Sequence, residues 1–184
     1  MSIAASPLLT ADAFARMPDP GHPQELVRGA IIDMPPPKPR HGQVCVNVCF
    51  YLRSFVEAHR LGHVVANDTG VITGQDPDTV RGMDVAFISF TKFPPGPLPA
   101  SYFTVAPDAV FEVRSPGDRR SEIYRKICEY HDIGVPAVYV LDPETSRVHC
   151  YFPDRPEEIL NVTDQFAGIG PLADFSVPVA KFFE

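Results

Sequence analysis

Two short apolar segments each enclose one carboxylate: Met83-Asp84-Val85-Ala86-Phe87-Ile88 and Ala109-Val110-Phe111-Glu112-Val113. They belong to predicted strands at 80–90 and 109–114, and both are apolar enough to be central in a sheet. A buried carboxylate without a partner is strongly disfavoured, so each must meet a cation, a metal ion or hydrogen-bond donors. An ion pair with an arginine would satisfy either one singly. Two such strands in succession favour convergence of Asp84 and Glu112 on one divalent ion, and such oxygen ligands suit Mg²⁺ or Mn²⁺.

The flanking sequence predicts helices and further strands around this pair. Apolar residues recur at three- and four-residue spacing over 41–60 and 119–132, which predicts two amphipathic helices. Other predicted elements are a capped helix at 10–17, a hairpin with arms at 25–27 and 30–34, and strands at 63–73, 137–142 and 147–152. This order predicts a mixed α/β fold, in which helices flank a central mixed β-sheet.

Length and charge restrict the possible functions. A chain of 184 residues and 20.3 kDa suits a single domain spanning residues 1–184. The net charge of −7 excludes a bulk electrostatic attraction to nucleic acid, so such a role requires a local site. Residues 1–10 lack the pattern of a signal peptide, and no stretch approaches the ~18 apolar residues of a membrane span. We therefore expect a cytoplasmic protein without a membrane partner.

The four cysteines form no CxxC pair and do not resemble a disulfide framework. Cys45 and Cys49 are four residues apart on a predicted helix, where small apolar residues are expected. A zinc site would need further ligands at metal-binding spacing, and the sequence shows none. We interpret Cys45 and Cys49 as reduced core residues.

A basic residue is needed beside the carboxylates if the substrate is a phosphodiester. Arg114 lies two residues beyond Glu112, and strand alternation places both on one face. Lys126 lies one helix later, where a solvated Glu122–Lys126 pair at i, i+4 is the alternative interpretation. Arginine stays protonated and only stabilises charge, whereas a partly buried lysine can also tune an attacking water.

Taken together, the motifs resemble those of the Uma-type endonucleases of the PD-(D/E)XK restriction-endonuclease-like superfamily. The resemblance covers about residues 10–152, leaving C-terminal strands and a tail at 153–184. It rests on these motifs in this order: Glu25-Leu-Val-Arg-Gly, Pro35-Pro36-Pro37 with His41, Met83-Asp84-Val85-Ala86-Phe87, Pro107-Asp108-Ala-Val-Phe-Glu112-Val-Arg-Ser-Pro116, Lys126 with Tyr130, Gly134-Val135-Pro136 and Tyr139-Val-Leu-Asp142-Pro143.

The resemblance implies a restriction-endonuclease-like core and a role for each site residue. Asp84 corresponds to the aspartate of the "PD" element and Glu112 to the acidic residue of "(D/E)xK". Lys126, on the following helix, corresponds to the lysine. Glu25 matches an additional acidic residue of the family. Asp84, Glu112 and the Val113 carbonyl are then the expected ligands of Mg²⁺ or Mn²⁺, with Glu25 completing or orienting the site.

Two positions depart from the family pattern. Met83 replaces the usual proline before Asp84, and Arg114 occupies the lysine position of the strand, which divides the basic role between Arg114 and Lys126. Pro107–Asp108 has the literal sequence of the "PD" element, but it lies on the strand of Glu112. We therefore interpret Asp108 as a residue that begins or caps that strand.

Three further motif residues receive weaker roles. His41 opens the long helix at the family's histidine position, where it is either an accessory site residue or a local hydrogen-bonding residue. We interpret Tyr130 as core packing. Asp142–Pro143 has an ordinary turn explanation, and we assign it no chemistry.

These observations predict a metal-dependent DNA endonuclease that hydrolyses phosphodiester bonds. The alternative is a catalytically inactive nuclease-fold scaffold for nucleic-acid or protein binding, which the acidic net charge and the displaced lysine favour. The acidic charge predicts DNA binding that is weak and salt-sensitive. Family analogy predicts a homodimer, because small nucleases of this superfamily cut two strands by pairing.

Overall fold

A computed structural model describes residues 8–184. The helices are α1 (Ala11–Ala15), α2 (Pro39–His59), α3 (Arg120–Asp132) and α4 (Ala180–Phe183), with a 3-10 turn at Gly170–Leu172. The strands are β1 (Gln24–Val27), β2 (Ala30–Asp33), β3 (Gly62–Gly74), β4 (Thr79–Ser89), β5 (Ala109–Val113), β6 (Val138–Asp142), β7 (Arg147–Phe152), β8 (Arg155–Leu160), β9 (Gln165–Ala167) and β10 (Ser176–Pro178). The elements predicted from the sequence agree with these bounds to within two residues.

An eight-stranded mixed sheet organises the described residues, in the order β2-β1-β4-β5-β6-β7-β8 with β3 also paired to β4. Its pairs are antiparallel except for β5 and β6, which are parallel. A parallel pair needs a crossover, and α3 provides it between β5 and β6. The predicted mixed α/β fold is confirmed.

The two long helices cover opposite faces of the sheet. The inward face of α2 packs Val44, Val48, Leu52 and Val56 into one apolar cluster, together with residues of β4, β5 and β6. On the other face, Ile127 and Tyr130 of α3 pack against a second cluster from the same strands. Because both faces are covered, β4 and β6 are buried along nearly their whole length.

The arrangement around β4 brings distant parts of the chain together. β3 pairs along the whole of β4, so β1 and β5 share the opposite edge: Leu26 pairs with Val80 near its start, and Phe111 pairs with Val85 further on. Residues 81–84 of β4 therefore lie between the part of this strand that pairs with β1 and the part that pairs with β5. The strands that carry Asp84 and Glu112 are therefore neighbours, which convergence of the two carboxylates requires.

The C-terminal segment completes the core on the side of α2. Phe166, Phe175 and Phe182 join the cluster beneath that helix, and the Asn47 amide donates to the backbone carbonyl of Phe182 at 3.1 Å. The sequence predicted this segment only as strands and a tail. Within the described residues, we find no helix with the length and apolar character that a bilayer crossing requires.

Candidate active site

A cleft of about 810 Å³ opens where β1, β4 and β5 meet. Its walls include the proline-rich loop of Pro35–Pro37, the first turn of α2 and the buried side of α3. The predicted site residues that line it are Glu25, His41, Asp84, Glu112, Val113, Arg114 and Lys126. The strand pairing described above explains why residues so far apart in sequence share this wall.

Asp84 of β4 and Glu112 of β5 each lie one residue beyond the terminal Val85–Phe111 pair of the β4–β5 ladder. Oδ2 of Asp84 accepts a hydrogen bond from the backbone N–H of Val113 at 2.7 Å and lies 3.2 Å from Nε2 of His41. The imidazole therefore holds this carboxylate from the α2 side. Burial has the largest effect on the pKa of His41 and lowers it, but the carboxylate of Asp84, helped by Asp68 and Glu112, outweighs burial, so the pKa is raised.

Glu112 is held from the α3 side. Its Oε2 accepts from Nζ of Lys126 at 2.9 Å and its Oε1 accepts from the Tyr130 hydroxyl at 2.7 Å. Burial raises the pKa of Glu112 to about 7, and the charge of Asp84 adds to this, although Lys126 and Tyr130 oppose it. Without a metal ion, carboxylates packed this closely should raise the pKa of at least one of them. For Glu112, burial contributes most to the rise.

Lys126 points into the cleft and lies within reach of two carboxylates. Its ammonium donates to the Gly82 carbonyl at 3.0 Å and is also 3.3 Å from Oε1 of Glu25. The alternative Glu122–Lys126 pair does not form, because Glu122 binds Arg125 at 2.9 Å. Burial favours the neutral amine, but the charges of Glu112 and its neighbours outweigh burial and raise the pKa of Lys126.

Glu25 is fixed by a buried arginine on the neighbouring strand. Its Oε2 accepts from Arg81 at 2.7 Å and its Oε1 accepts from the backbone N–H of Gly82 at 3.1 Å. Arg81 also donates to Glu129 of α3 at 2.9 Å, so one guanidinium joins the hairpin, the sheet and the helix. Burial alone would raise the pKa of Glu25, but the charges of Lys126 and Arg81 outweigh burial, so the net pKa lies below its usual value.

Asp68 is a cleft residue that the sequence prediction missed. It lies at a bulge of β3 between Ala66 and Thr69, and its backbone is left-handed with φ 54°. Burial raises the pKa of Asp68, and the charge of Asp84 adds to this effect. Gly82 permits the approach, because a Cβ there would meet the Cβ of Asp68 at 3.1 Å. The available signal was the Asn67–Asp68 interruption of an otherwise regular strand pattern.

Arg114 and Asp108 lie outside this group of contacts. Arg114 lines the cleft, but its guanidinium binds Asp142 at 2.7 Å rather than Glu112. Asp142 also accepts from the backbone N–H of Glu144 at 3.0 Å, as expected of a turn residue. The carboxylate of Asp108 accepts from the backbone N–H of Ser89 at 2.7 Å and lies away from the cleft.

Tyr130 is buried in the core, as expected, and its hydroxyl also donates a hydrogen bond to Glu112. One interpretation from the sequence needs correction. Cys45 has potential metal ligands beside it, contrary to the interpretation that none exist: its Sγ lies 3.5 Å from Nδ1 of His41, and Asp84 is adjacent. Spacing along the chain could not show this, because Asp84 comes from a different element.

Comparison with known proteins supports the same kind of fold. The Uma2 family model, described as "Putative restriction endonuclease", matches residues 11–180. The structure is similar to the crystal structure of a putative nuclease belonging to DUF820 from Anabaena variabilis ATCC 29413. That similarity has a TM-score of 0.83 at 19% identity and covers 95% of this chain and 97% of the other. No curated protein matches the sequence.

Proposed function

This chain belongs to the Uma2 family, and from that membership and the geometry of its cleft we propose that it is a metal-dependent DNA endonuclease. The observation that carries the proposal is the contact of one lysine with two carboxylates, Lys126 with Glu112 and Glu25, beside Asp84. Carboxylates with a neighbouring cation are the groups that hydrolysis of a phosphodiester requires. Of the predicted catalytic set Asp84, Glu112, Lys126 and Glu25, we propose that the first three act on the substrate and that Glu25 positions Lys126.

The donor chemistry of the cleft fits a hard divalent ion. Asp84 and Glu112 belong to neighbouring strands and line the same cleft, and carboxylate oxygens are the ligands that Mg²⁺ and Mn²⁺ prefer. We propose these two side chains and the Val113 carbonyl as ligands. When bound, the ion would neutralise charge on the scissile phosphate and lower the pKa of a bound water.

The protein's own residues then have distinct tasks. His41 and the Val113 N–H hold Asp84 in place, so its orientation is fixed before substrate arrives. Tyr130 does the same for Glu112. Lys126 keeps a positive charge facing the cleft, where it would stabilise charge that develops on the phosphate. Glu25 is a positioning residue, because it holds the ammonium of Lys126 while Arg81 holds Glu25.

A smaller cavity beside the cleft offers a place for the DNA backbone. It measures about 240 Å³ and is lined by Arg114, Arg120 and Arg147 and by one acidic side chain, Asp142, which pairs with Arg114 and leaves the other two arginines in excess. Arginine guanidinium groups bind phosphate well. We propose that this local basic surface compensates for the net charge of −7. DNA binding should then be weak. The logarithm of the DNA-binding constant should fall with the logarithm of the salt concentration at a small slope, about −0.9 for each phosphate contacted.

The test is cleavage of plasmid and single-stranded DNA at low salt with Mg²⁺, Mn²⁺ or EDTA. Cleavage should need the metal and disappear in Asp84→Asn, Glu112→Gln and Lys126→Met. Lys92→Met is the matched control, because Lys92 pairs with buried Asp108 at 3.3 Å outside the cleft. Metal binding should survive in Lys126→Met, since this side chain acts on the transition state. Full activity in Lys126→Met with loss in Arg114→Ala would contradict the assignment of the lysine.

One observation favours the second candidate, an inactive nuclease-fold scaffold. Both oxygens of Glu112 already accept hydrogen bonds from the protein, from Lys126 and Tyr130. A scaffold would keep this closed arrangement and would bind no divalent ion. Absence of cleavage, together with no shift of melting temperature by Mg²⁺ or Mn²⁺, would favour the scaffold over the enzyme.

We further propose a cytoplasmic homodimer. Two copies would place one cleft at each strand of a duplex. The edge strand β2 is exposed along its length and presents Ile31 and Ile32, which suits pairing with a second chain. All four cysteines are free thiols, as is usual in a reducing compartment. Sedimentation that shows only a monomer under cleavage conditions would contradict the dimer, and cell fractionation tests the location.

A further inference from the structure

His41, Cys45 and Asp84 form a group of potential metal ligands on the α2 side of the cleft. Each offers one ligand atom, and these three atoms lie within 4.8 Å of one another. His41 and Cys45 are four residues apart, so they share one face of α2, while Asp84 faces them from β4. All three side chains are partly buried, which limits their freedom before any ion arrives.

The donor atoms differ from those of the proposed hard-ion site. Burial and the charge of Asp84 raise the pKa of the Cys45 thiol, so binding of the ion must release its proton to solvent. The resulting thiolate and an imidazole are softer ligands than carboxylates, and together with one carboxylate they suit Zn²⁺ and similar ions better than Mg²⁺. Bonds of about 2.0–2.3 Å in a tetrahedral site place zinc ligands roughly 3.3–3.6 Å apart. The cysteine Sγ is 3.5 Å from Nδ1 of His41, and Asp84 Oδ2 is 3.2 Å from Nε2.

Those two contacts use different nitrogens of the His41 ring. One ion takes one nitrogen, so binding requires the imidazole to turn until that nitrogen faces both neighbours. His41 lies in the first turn of α2 and lines the cleft, so its side chain borders open space on that side. The neighbouring carboxylates of Asp68 and Glu112 add negative potential, which favours a divalent cation.

We propose that His41, Cys45 and Asp84 bind a thiophilic divalent ion of the Zn²⁺ class, with the fourth coordination position open toward the cleft. The proposal goes beyond the nuclease function, because it concerns a different ion and holds whether or not the chain cleaves DNA. Asp84 belongs to both sites. Zn²⁺ and Mg²⁺ should therefore compete, and bound Zn²⁺ should inhibit any Mg²⁺-dependent cleavage.

The experiment uses the full chain, reduced and freed of metal by EDTA and dialysis, with Co²⁺ and Zn²⁺ as probes. Co²⁺ should give the charge-transfer absorption of a thiolate ligand, and Zn²⁺ should displace it. Cys45→Ser should abolish this absorption. It should also weaken Zn²⁺ binding by more than the roughly 10–100-fold that loss of an outer-shell partner costs. Binding of Mg²⁺, followed by melting temperature, should stay unchanged in Cys45→Ser.

Cys49→Ser is the matched control, since Cys49 lies one turn along the same helix and outside the ligand group. It should bind Co²⁺ and Zn²⁺ like the wild type. His41→Gln gives an independent test, because it should weaken Zn²⁺ binding while leaving both cysteines in place. Circular dichroism establishes that each variant is folded.

Two results would overturn the proposal. One is a wild-type protein whose Co²⁺ spectrum contains no thiolate absorption. The other is equal Zn²⁺ affinity in Cys45→Ser and Cys49→Ser. Neither depends on cleavage, so failure of the nuclease proposal would leave this test unaffected.

Discussion

Replacement of Arg81 by methionine tests whether a buried ion network holds the cleft together. The guanidinium of Arg81 is 2.7 Å from Glu25 and also binds Glu129, and its side chain is only 5% exposed. Methionine fills a similar volume but leaves two carboxylates without this partner. Removing one partner of a buried ion pair costs about 3–5 kcal/mol. Glu25 keeps Lys126 and the Gly82 N–H, so we expect the lower end, about 3 kcal/mol.

Urea unfolding followed by circular dichroism measures this loss directly. The matched control is Arg53→Met, which removes an arginine from an i, i+4 pair with Glu57. That pair is 3.5 Å long and its side chains are 69% and 73% exposed, so its loss should cost about 0.5 kcal/mol or less. The same substitution in the two places should thus differ by more than 2 kcal/mol, or roughly thirtyfold in the unfolding equilibrium.

A second variant separates the loss of charge pairing from the loss of packing. Glu25→Gln in the Arg81→Met background neutralises one of the two carboxylates that lost the guanidinium, so it should recover part of the lost stability. If Arg81→Met instead lies within about 1 kcal/mol of the wild type, the network does not stabilise the fold, and the argument from buried charge fails.

Three further outcomes follow from the geometry of the cleft. Tyr130→Phe removes a donor to Glu112, so urea unfolding should show a loss of about 1.5–3 kcal/mol with the fold retained. Gly82→Ala presses on Asp68 and should lower the melting temperature by an amount equivalent to about 1–3 kcal/mol. In EDTA, wild-type stability should fall as pH rises from the ordinary carboxyl pKa toward 7, because the pKa of Glu112 is raised in the folded state and its protonated form is favoured there. Glu112→Gln should flatten that segment of the stability profile measured by urea unfolding.

The sequence was informative where local patterns carry the structure. Alternation and helical spacing located the strands and helices to within two residues, because each pattern reflects burial of one face. For a related reason Asp84 and Glu112 were expected to have partners, since a carboxylate inside an apolar strand demands one, and each has them. The sequence did not locate the individual C-terminal strands, because β8 is mostly exposed and β9 and β10 are only three residues each.

The partners of the buried charges could not be predicted, because they depend on register between distant elements. Arg81 meets Glu25 only through the pairing of β1 with β4, and Arg114 meets Asp142 rather than Glu112. Alternation along β5 predicted the face of the sheet on which Arg114 lies. It could not predict that Asp142 of β6 is the side chain beside Arg114. Cys45 shows the same limit, since its neighbour Asp84 belongs to another element.

Charge balance links the stability of the cleft to its proposed function. Glu25, Asp68, Asp84 and Glu112 line one cavity, and within the described chain Arg81 and Lys126 are the lysine or arginine side chains at ion-pair distance from them. Arg81 is shared with Glu129, so negative charge is in excess even when Glu112 is protonated. A fold selected for stability alone would place apolar residues here. The excess that destabilises the metal-free protein is the same charge that would attract a divalent ion, so binding should recover stability by mass action.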